Sequence, residues 1–221
     1  ITIILSIIKS KFVALWLGTV GFGIMSLFAA ATNLIFSVSN LGLQSSAVRD
    51  IANVEGDKDQ SLISKIVKAI NRWVFVTGFL GALITVVLSP WLSQWLFKSD
   101  KYTVSFILLS SFVLLTGMYN GHYAILQGTR RLKLMAQANI FGAVAGFLCS
   151  VPMFYFFRNE GIVWALILTA LTTTIVSYYY AKKVKLIPVI QSYKESYTLG
   201  LKTVRLGIMM AISSVAVLFL Q

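Results

Sequence analysis

The sequence predicts an all-α membrane protein, a polytopic bundle of about seven transmembrane helices, and three observations carry that reading. Of 221 residues, 57% are hydrophobic and only 12% charged, where a soluble domain is roughly a quarter charged. Mean hydropathy is +0.82. Apolar runs near the ~20 residues that a bilayer core demands follow one another in series, each closed by a short polar, Gly-rich or Pro-containing segment.

Taken in order, residues 1–17 form the first span. They carry Lys9 and Lys11 in mid-run and no small-residue cleavage site follows, so they read as a membrane helix rather than a signal peptide. Gly18, Gly21 and Gly23 predict a tight turn into a second span over 24–48. The third span, 69–88, is expected to end at Ser89-Pro90. Segment 89–101 holds Trp91 and Trp95, amphipathic anchors suited to headgroup depth. The fourth span covers 103–126 and the fifth 136–157. In the fifth, Gly142 and Gly146, extended by Asn139 and Ser150, offer a small-residue face that lets a neighbouring helix approach. Pro152 removes one backbone hydrogen bond near its end. Arg158-Asn159-Glu160-Gly161 makes a hairpin into the sixth span, 161–181. An amphipathic connector with Tyr193, Lys194, Tyr197 and Lys202 is expected over 186–203, and a seventh span starts near 205. Opening on Ile1 and closing on an apolar run at Gln221, the sequence reads as a piece of a longer protein.

Cation placement sets the expected orientation. Arg49, Lys58, Lys65, Lys68 and Arg72 lie between the second and third spans, Arg130, Arg131 and Lys133 between the fourth and fifth, and six more between the sixth and seventh. Those alternate loops hold fourteen of the nineteen basic residues, whereas the opposite loops hold only Lys98, Lys101 and Arg158. The basic side, and with it the N-terminus, is expected in the cytoplasm. The net charge of +12 then lies against anionic lipid, which attracts each cation by about 1 kcal/mol. A nucleic-acid partner would want a basic face on a soluble fold.

Candidate site residues are those ill-suited to hydrocarbon. Lys9 and Lys11 precede Gly18 by nine and seven residues, which at about 1.5 Å per residue places them roughly 10–14 Å from the turn. A central Lys costs about 2.5–3.5 kcal/mol, so it commonly faces water, a partner or a substrate. About 200° apart around a helix, the two cannot share one cavity. The alternative is a first helix shifted outward with both residues snorkelling. Asn33, Ser37, Asn40 and Gln44, spaced 4, 3 and 4, form one helical face of amides unsuited to lipid. Tyr119, Asn120, Tyr123 and Gln127 repeat the theme more weakly, and Thr169, Thr173 and Ser177 are expected to bond their own backbone or a neighbour.

The seven acidic residues all fall in expected loops or helix ends, so a Lys- and amide-lined cavity suits an anionic or sugar-like ligand. One Cys, Cys149, and one His, His122, leave no Cys/His metal cluster; both read as packing or polar residues inside the bundle. No carboxylate pair, Ser–His arrangement or P-loop points to enzymatic chemistry, and no cofactor is implied.

Several stretches, collinear along the chain, carry a resemblance: Lys11-x6-Gly18 with Gly21-Phe22-Gly23; Asn40-Leu41-Gly42 through Val48-Arg49-Asp50-Ile51-Ala52; Ser89-Pro90-Trp91-Leu92; Leu126-Gln127-Gly128-x-Arg130-Arg131; Ala138-Asn139-Ile140-x-Gly142; Gly161-Ile162-Val163-x-Ala165-Leu166; and Leu206-Gly207-Ile208. The sequence resembles the lipid-linked oligosaccharide flippases of the polysaccharide-biosynthesis (Wzx-like, O-antigen) branch of the multidrug/oligosaccharidyl-lipid/polysaccharide (MOP, MATE-like) exporter superfamily. The resemblance implies two six-helix lobes around a central cavity. Residues 1–182 would then be the N-terminal lobe, 183–204 the cytoplasmic connector and 205–221 the start of the seventh helix, with the second lobe beyond.

It further implies a transporter in the bacterial inner membrane that moves undecaprenyl-diphosphate-linked oligosaccharide to the periplasmic leaflet for O-antigen or other surface polysaccharide, including lipopolysaccharide. Lys11, with Lys9 in reserve, is the expected cavity cation; Asn33, Asn40, Gln44 and Asn120 would bond sugar hydroxyls; Arg49, Arg130 and Arg131 form a cytoplasmic basic rim. The partners implied are the lipid-linked substrate, membrane lipid, a coupling ion (H+ or Na+) and polysaccharide polymerase or assembly proteins. Two other readings stay open: a cation-coupled small-molecule exporter of the same superfamily, which wants a carboxylate in the cavity, and a membrane scaffold or glycan transferase or ligase, which wants acidic or His-bearing outer loops.

Overall fold

The computed structural model of the protein describes residues 2–40, 42–57, 60–184, 186–187, 197, 200, 201, 203–205, 207 and 209. These fold as α1 (Thr2–Asn40), α2 (Leu43–Asp57), α3 (Gln60–Phe97), α4 (Thr103–Gly128), α5 (Leu132–Phe157) and α6 (Gly161–Ala181), with 3₁₀ turns at Asp100–Tyr102 and Arg158–Glu160. Four continuous helical stretches are long and apolar enough to cross a membrane: Thr2–Asn40, Gln60–Phe97, Asp100–Gly128 and Leu132–Ala181. The described residues form an all-α polytopic bundle, as the composition predicts. The expected connector and seventh span lie largely outside the described residues.

α1 joins the first two predicted spans and reverses direction at one residue. Gly18 adopts φ 68, ψ −171, a conformation essentially restricted to glycine. Before it, Phe12 lies against Phe147 and Trp16 against Tyr155, so this half runs alongside α5 in the same direction. After it, Phe28 packs on Phe97 and Tyr102 at the far end of α3, while a Cβ on mid-α3 Gly81 would meet Ser39 at 2.9 Å. The second half therefore runs antiparallel to α3. Gly18 alone has the non-helical conformation; Gly21 and Gly23, predicted to share the turn, are helical, and Gly21 allows its close approach, since a Cβ there would meet Leu17 at 2.5 Å and Asn159 at 2.6 Å.

Three further boundaries differ from the sequence reading. The second span ends at Asn40 rather than 48, because Gly42 at φ 65 breaks the helix before the separate α2. α2 is amphipathic and buries Leu43, Ala47 and Ile51 against Ile63, Val67 and Ile70 of α3. The third span runs from Gln60 to Phe97 instead of 69–88, passing straight through Ser89-Pro90. Pro90 cannot donate to the Val86 carbonyl, and the Ser89 hydroxyl does so instead at 2.7 Å, so the helix continues. The predicted interfacial segment 89–101 is thus helical to Phe97, with the Trp91 and Trp95 rings stacked 5.4 Å apart. α5 likewise contains Pro152.

α5 and α6 turn over Arg158–Glu160 at a close approach, where a Cβ on Gly161 would collide with the Met153 carbonyl oxygen. Their shared face is the small-residue seam: Gly142 meets Thr173 and Gly146 meets Thr169. Those threonines bond backward to Thr169 and Ala165 carbonyls, as expected. The core divides into an aromatic cluster at the Gly18 end, centred on Phe28, Phe106, Phe154 and Ile162, and an aliphatic cluster at the basic end around α2.

Candidate functional site

Lys9 and Lys11 part company on α1. Val13 and Leu17 bury the helix face that Lys9 begins, and the half-buried Lys9 Nζ lies 3.4 Å from Thr169 Oγ1 and 5.9 Å over the Phe154 ring. The Thr169 hydroxyl donates to the Ala165 carbonyl at 2.7 Å, which leaves its lone pairs for the ammonium. Lys11, most of the way round the helix, is exposed. The resemblance ranks Lys11 first, yet Lys9 is the one held inside this bundle, between α1, α5 and α6.

The amide stripe is split. Gly42 interrupts the helix between Asn40 and Gln44, so Gln44 belongs to α2 and the four residues do not form one continuous helical face. Asn33 and Ser37 are exposed on α1, with Gly23, Ser26 and Ala30 continuing the same small or polar column; Asn40 and Gln44 are half-buried. The Ser37 hydroxyl donates to the Asn33 carbonyl at 2.8 Å. On α4, Asn120 is half-buried, and the Tyr119 and Tyr123 rings pair 5.5 Å apart. Asn139 Nδ2 reaches the Tyr123 hydroxyl at 3.5 Å from α5. Among the described residues no hydrogen bond joins Lys11, Asn33, Asn40, Gln44 and Asn120 to one another.

Arg49, Arg130 and Arg131 are all exposed at the basic end. Arg130 takes φ 54 in the turn between α4 and α5, where its N–H donates to the Gln127 carbonyl and that of Arg131 to the Leu126 carbonyl. Four cavities also lie at this end, of about 550, 270, 350 and 40 Å³. Only Arg131 of the predicted residues lines one, the smallest, beside Glu55 and Gln60. Sequence reasoning missed the one of about 550 Å³, framed by Lys68, Asn71, Arg72 and Trp73. The signal that could have found it is a cation pair one turn apart followed by Phe75 and Phe79 on the same face.

Cys149 is a half-buried free thiol, and buried His122 places Nδ1 3.3 Å from Ser177 Oγ. The Ser177 hydroxyl also lies within hydrogen-bond distance of the Thr174 carbonyl, at 2.9 Å. Among the described residues no three His, Cys, Asp or Glu side chains gather to hold a metal. Asp50, expected in a loop or at a helix end, lies in α2 and accepts from Thr203 Oγ1 at 2.6 Å.

No curated protein and no solved structure matches the chain. The family described as Polysaccharide biosynthesis protein matches residues 1–221. Taken with the membrane-length helices, that match makes the chain part of a multi-pass membrane protein with a transport role in polysaccharide synthesis. The chain belongs to the polysaccharide biosynthesis protein family, the Wzx-like flippases of the MOP exporter superfamily.

Proposed function

We propose that the protein moves undecaprenyl-diphosphate-linked oligosaccharide from the cytoplasmic to the periplasmic leaflet of a bacterial inner membrane, for O-antigen or a related surface polysaccharide. Family membership over residues 1–221 carries the reading. Residues 1–182 form one lobe, and a second lobe, reached through the 183–204 connector and the helix starting at 205, closes the cavity.

The lobe's exposed polar side chains support this arrangement. Lys11, Asn33 and Ser37 sit on the surface of a helix long and apolar enough to span a bilayer, and an amide or ammonium facing acyl chains is costly. A wet surface shared with a second lobe relieves that cost. In the proposed cycle Arg49, Arg130 and Arg131 draw in the diphosphate at the basic end. Lys11 then neutralises it within the cavity as a point-charge donor. Lys9, within reach of Thr169, stands as the second cation. Asn33, Asn40, Gln44 and Asn120 exchange hydrogen bonds with sugar hydroxyls while the lipid tail stays in the bilayer. Rocking of the lobes reverses access, and no covalent step is needed. A proton or sodium ion is the coupling ion, and polymerase or assembly proteins receive the product.

The test is Lys11→Ala in the full-length protein with export of the surface glycan as readout. Loss of a charge-assisted contact to phosphate is expected to cut export about tenfold or more. Unchanged export at equal protein level removes Lys11 from the site.

A further inference from the structure

α4 packs on two neighbours and leaves a third side half-open. Gly117 and Gly121 lie against Gly78 and Val74 of α3, while Leu115 and His122 meet Thr174 and Ser177 of α6. Thr116, Asn120, Tyr123 and Gln127 share the remaining side, with Tyr119 at its edge, and none of the five is fully buried. The Tyr119 and Tyr123 rings stand 5.5 Å apart, tilted by 32°, as one broad aromatic surface. From α5, Asn139 Nδ2 reaches the Tyr123 hydroxyl at 3.5 Å. Among the described residues, neither the Tyr119 hydroxyl nor the Asn120 amide has a hydrogen-bond partner. The two tyrosines precede Gly128 by nine and five residues, about 14 and 8 Å from the basic end of the helix and within hydrocarbon depth. An unmatched hydroxyl or amide against acyl chains is costly there. The outer face of α3, with Val76, Phe79 and Leu83 exposed, suits lipid; this side of α4 does not.

We propose that Tyr119 and Tyr123 form the platform on which a sugar ring of the transported glycan stacks, while Asn120 and Asn139 bond its hydroxyls. The proposal rests on the reading of the protein as a flippase and names the surface that reads the sugar. A pyranose carries both halves of the complementary chemistry. Its C–H face, polarised positive by the neighbouring oxygens, lies on the negative π-faces of the tyrosines. Its rim of hydroxyls meets the amides and phenols. An acyl chain would cover the rings but leave those polar groups unmatched, and the diphosphate finds no cation among Thr116, Tyr119, Asn120, Tyr123 and Gln127. Axial hydroxyls interrupt the C–H face of a sugar, so the platform also discriminates between one sugar and another.

The experiment uses the purified full-length protein in detergent and two probes, undecaprenyl-diphosphate-linked oligosaccharide extracted from the cells that make it and undecaprenyl diphosphate alone. Native mass spectrometry reads the retention of each. The glycan-bearing lipid is expected to be retained better by about tenfold or more, and Tyr119→Leu/Tyr123→Leu is expected to remove about tenfold of that preference while undecaprenyl diphosphate stays bound. Tyr119→Phe/Tyr123→Phe keeps the rings and should keep most of it. A second measurement leaves the tyrosines in place. In Asn139→Cys/Cys149→Ser a maleimide should label the cysteine beside the platform, and the glycan-bearing lipid, unlike undecaprenyl diphosphate, should slow labelling about tenfold. This labelling decides the matter where the leucine pair loses both lipids. Equal retention of the two lipids, a leucine pair that keeps the preference, a phenylalanine pair that loses it as fully, or an unshielded cysteine overturns the proposal and leaves the flippase reading standing. A cysteine that is unreactive before lipid is added overturns it too, and means that protein covers this face. Binding of neither lipid by the parent protein overturns the flippase reading itself.

Discussion

Ser89 and Pro90 act as a pair. The proline withdraws one backbone donor in mid-helix, and the neighbouring hydroxyl replaces it on the Val86 carbonyl. Ser89 is buried, so Ser89→Ala leaves that carbonyl without a donor and is expected to cost about 1–3 kcal/mol of stability. In a Pro90→Ala background the N–H of residue 90 can return to Val86, and the same serine substitution should then cost less; unfolding of the four variants in detergent measures the coupling. Lys9 poses a different question. Among the described residues it has one neutral oxygen and one ring as company, too little to offset the desolvation of an ammonium in mid-membrane. Lys9→Met should therefore unfold no more easily than the parent protein, and a clear fall in thermal stability would mark Lys9 as a structural tie. The contrast between Lys9 inside and Lys11 outside follows from rotation alone. The sequence shows that they diverge but not which way the helix faces, because both flanks of α1 are apolar.

Glycines separate the elements by two different physical demands. At Gly18 a Cβ would meet nothing within 4 Å, so only the backbone conformation requires glycine. At Gly42 a Cβ would also strike the Gly207 carbonyl oxygen. Gly18→Ala is expected to cost about 1–3 kcal/mol through strain, and Gly42→Ala more, since a backbone group must move as well; folded yield and thermal unfolding in detergent rank the two. The α5–α6 seam offers a graded test of packing. A Cβ on Gly142 would make ordinary contact with Thr173 at 3.5 Å, whereas one on Gly146 would press Thr169 at 3.0 Å. Gly142→Ala should be tolerated, while Gly146→Leu should overpack the seam by about 1–3 kcal/mol or more. The seam is legible from Gly-x3-Gly, and the sixth span matches its prediction at both ends. The length of α3 is not legible, because its extension through Pro90 depends on a side-chain hydrogen bond.

At the scale of the molecule, charge and apolarity are sorted along one axis. The aromatic cluster around Phe28, Phe106 and Phe154 closes the Gly18 end, and the aliphatic cluster under α2 closes the end that bears Arg49, Arg130 and Arg131. If the basic end is cytoplasmic, a single cysteine at Lys133 in a Cys149→Ser background should react with an impermeant maleimide only after the membrane is opened. A cysteine at Lys101, on the opposite side, should react in intact spheroplasts. The reverse pattern would invert the proposed orientation and with it the direction of transport.

Composition and hydrophobic run length by themselves determined that this chain crosses a membrane as a helical bundle, because a bilayer demands long apolar helices wherever their neighbours lie. Collinear short motifs pointed to the family that the whole chain matches. Only the tertiary structure decided that the backbone breaks at Gly18 and closes over Gly21, that Gly42 separates Gln44 from Asn33 and Asn40, and that Lys9 turns toward α6. In hydrocarbon the outer face of a helix is as apolar as its packed face. Periodicity therefore loses the contrast that tells inside from outside in water, and only the neighbours of each side chain settle which way it points.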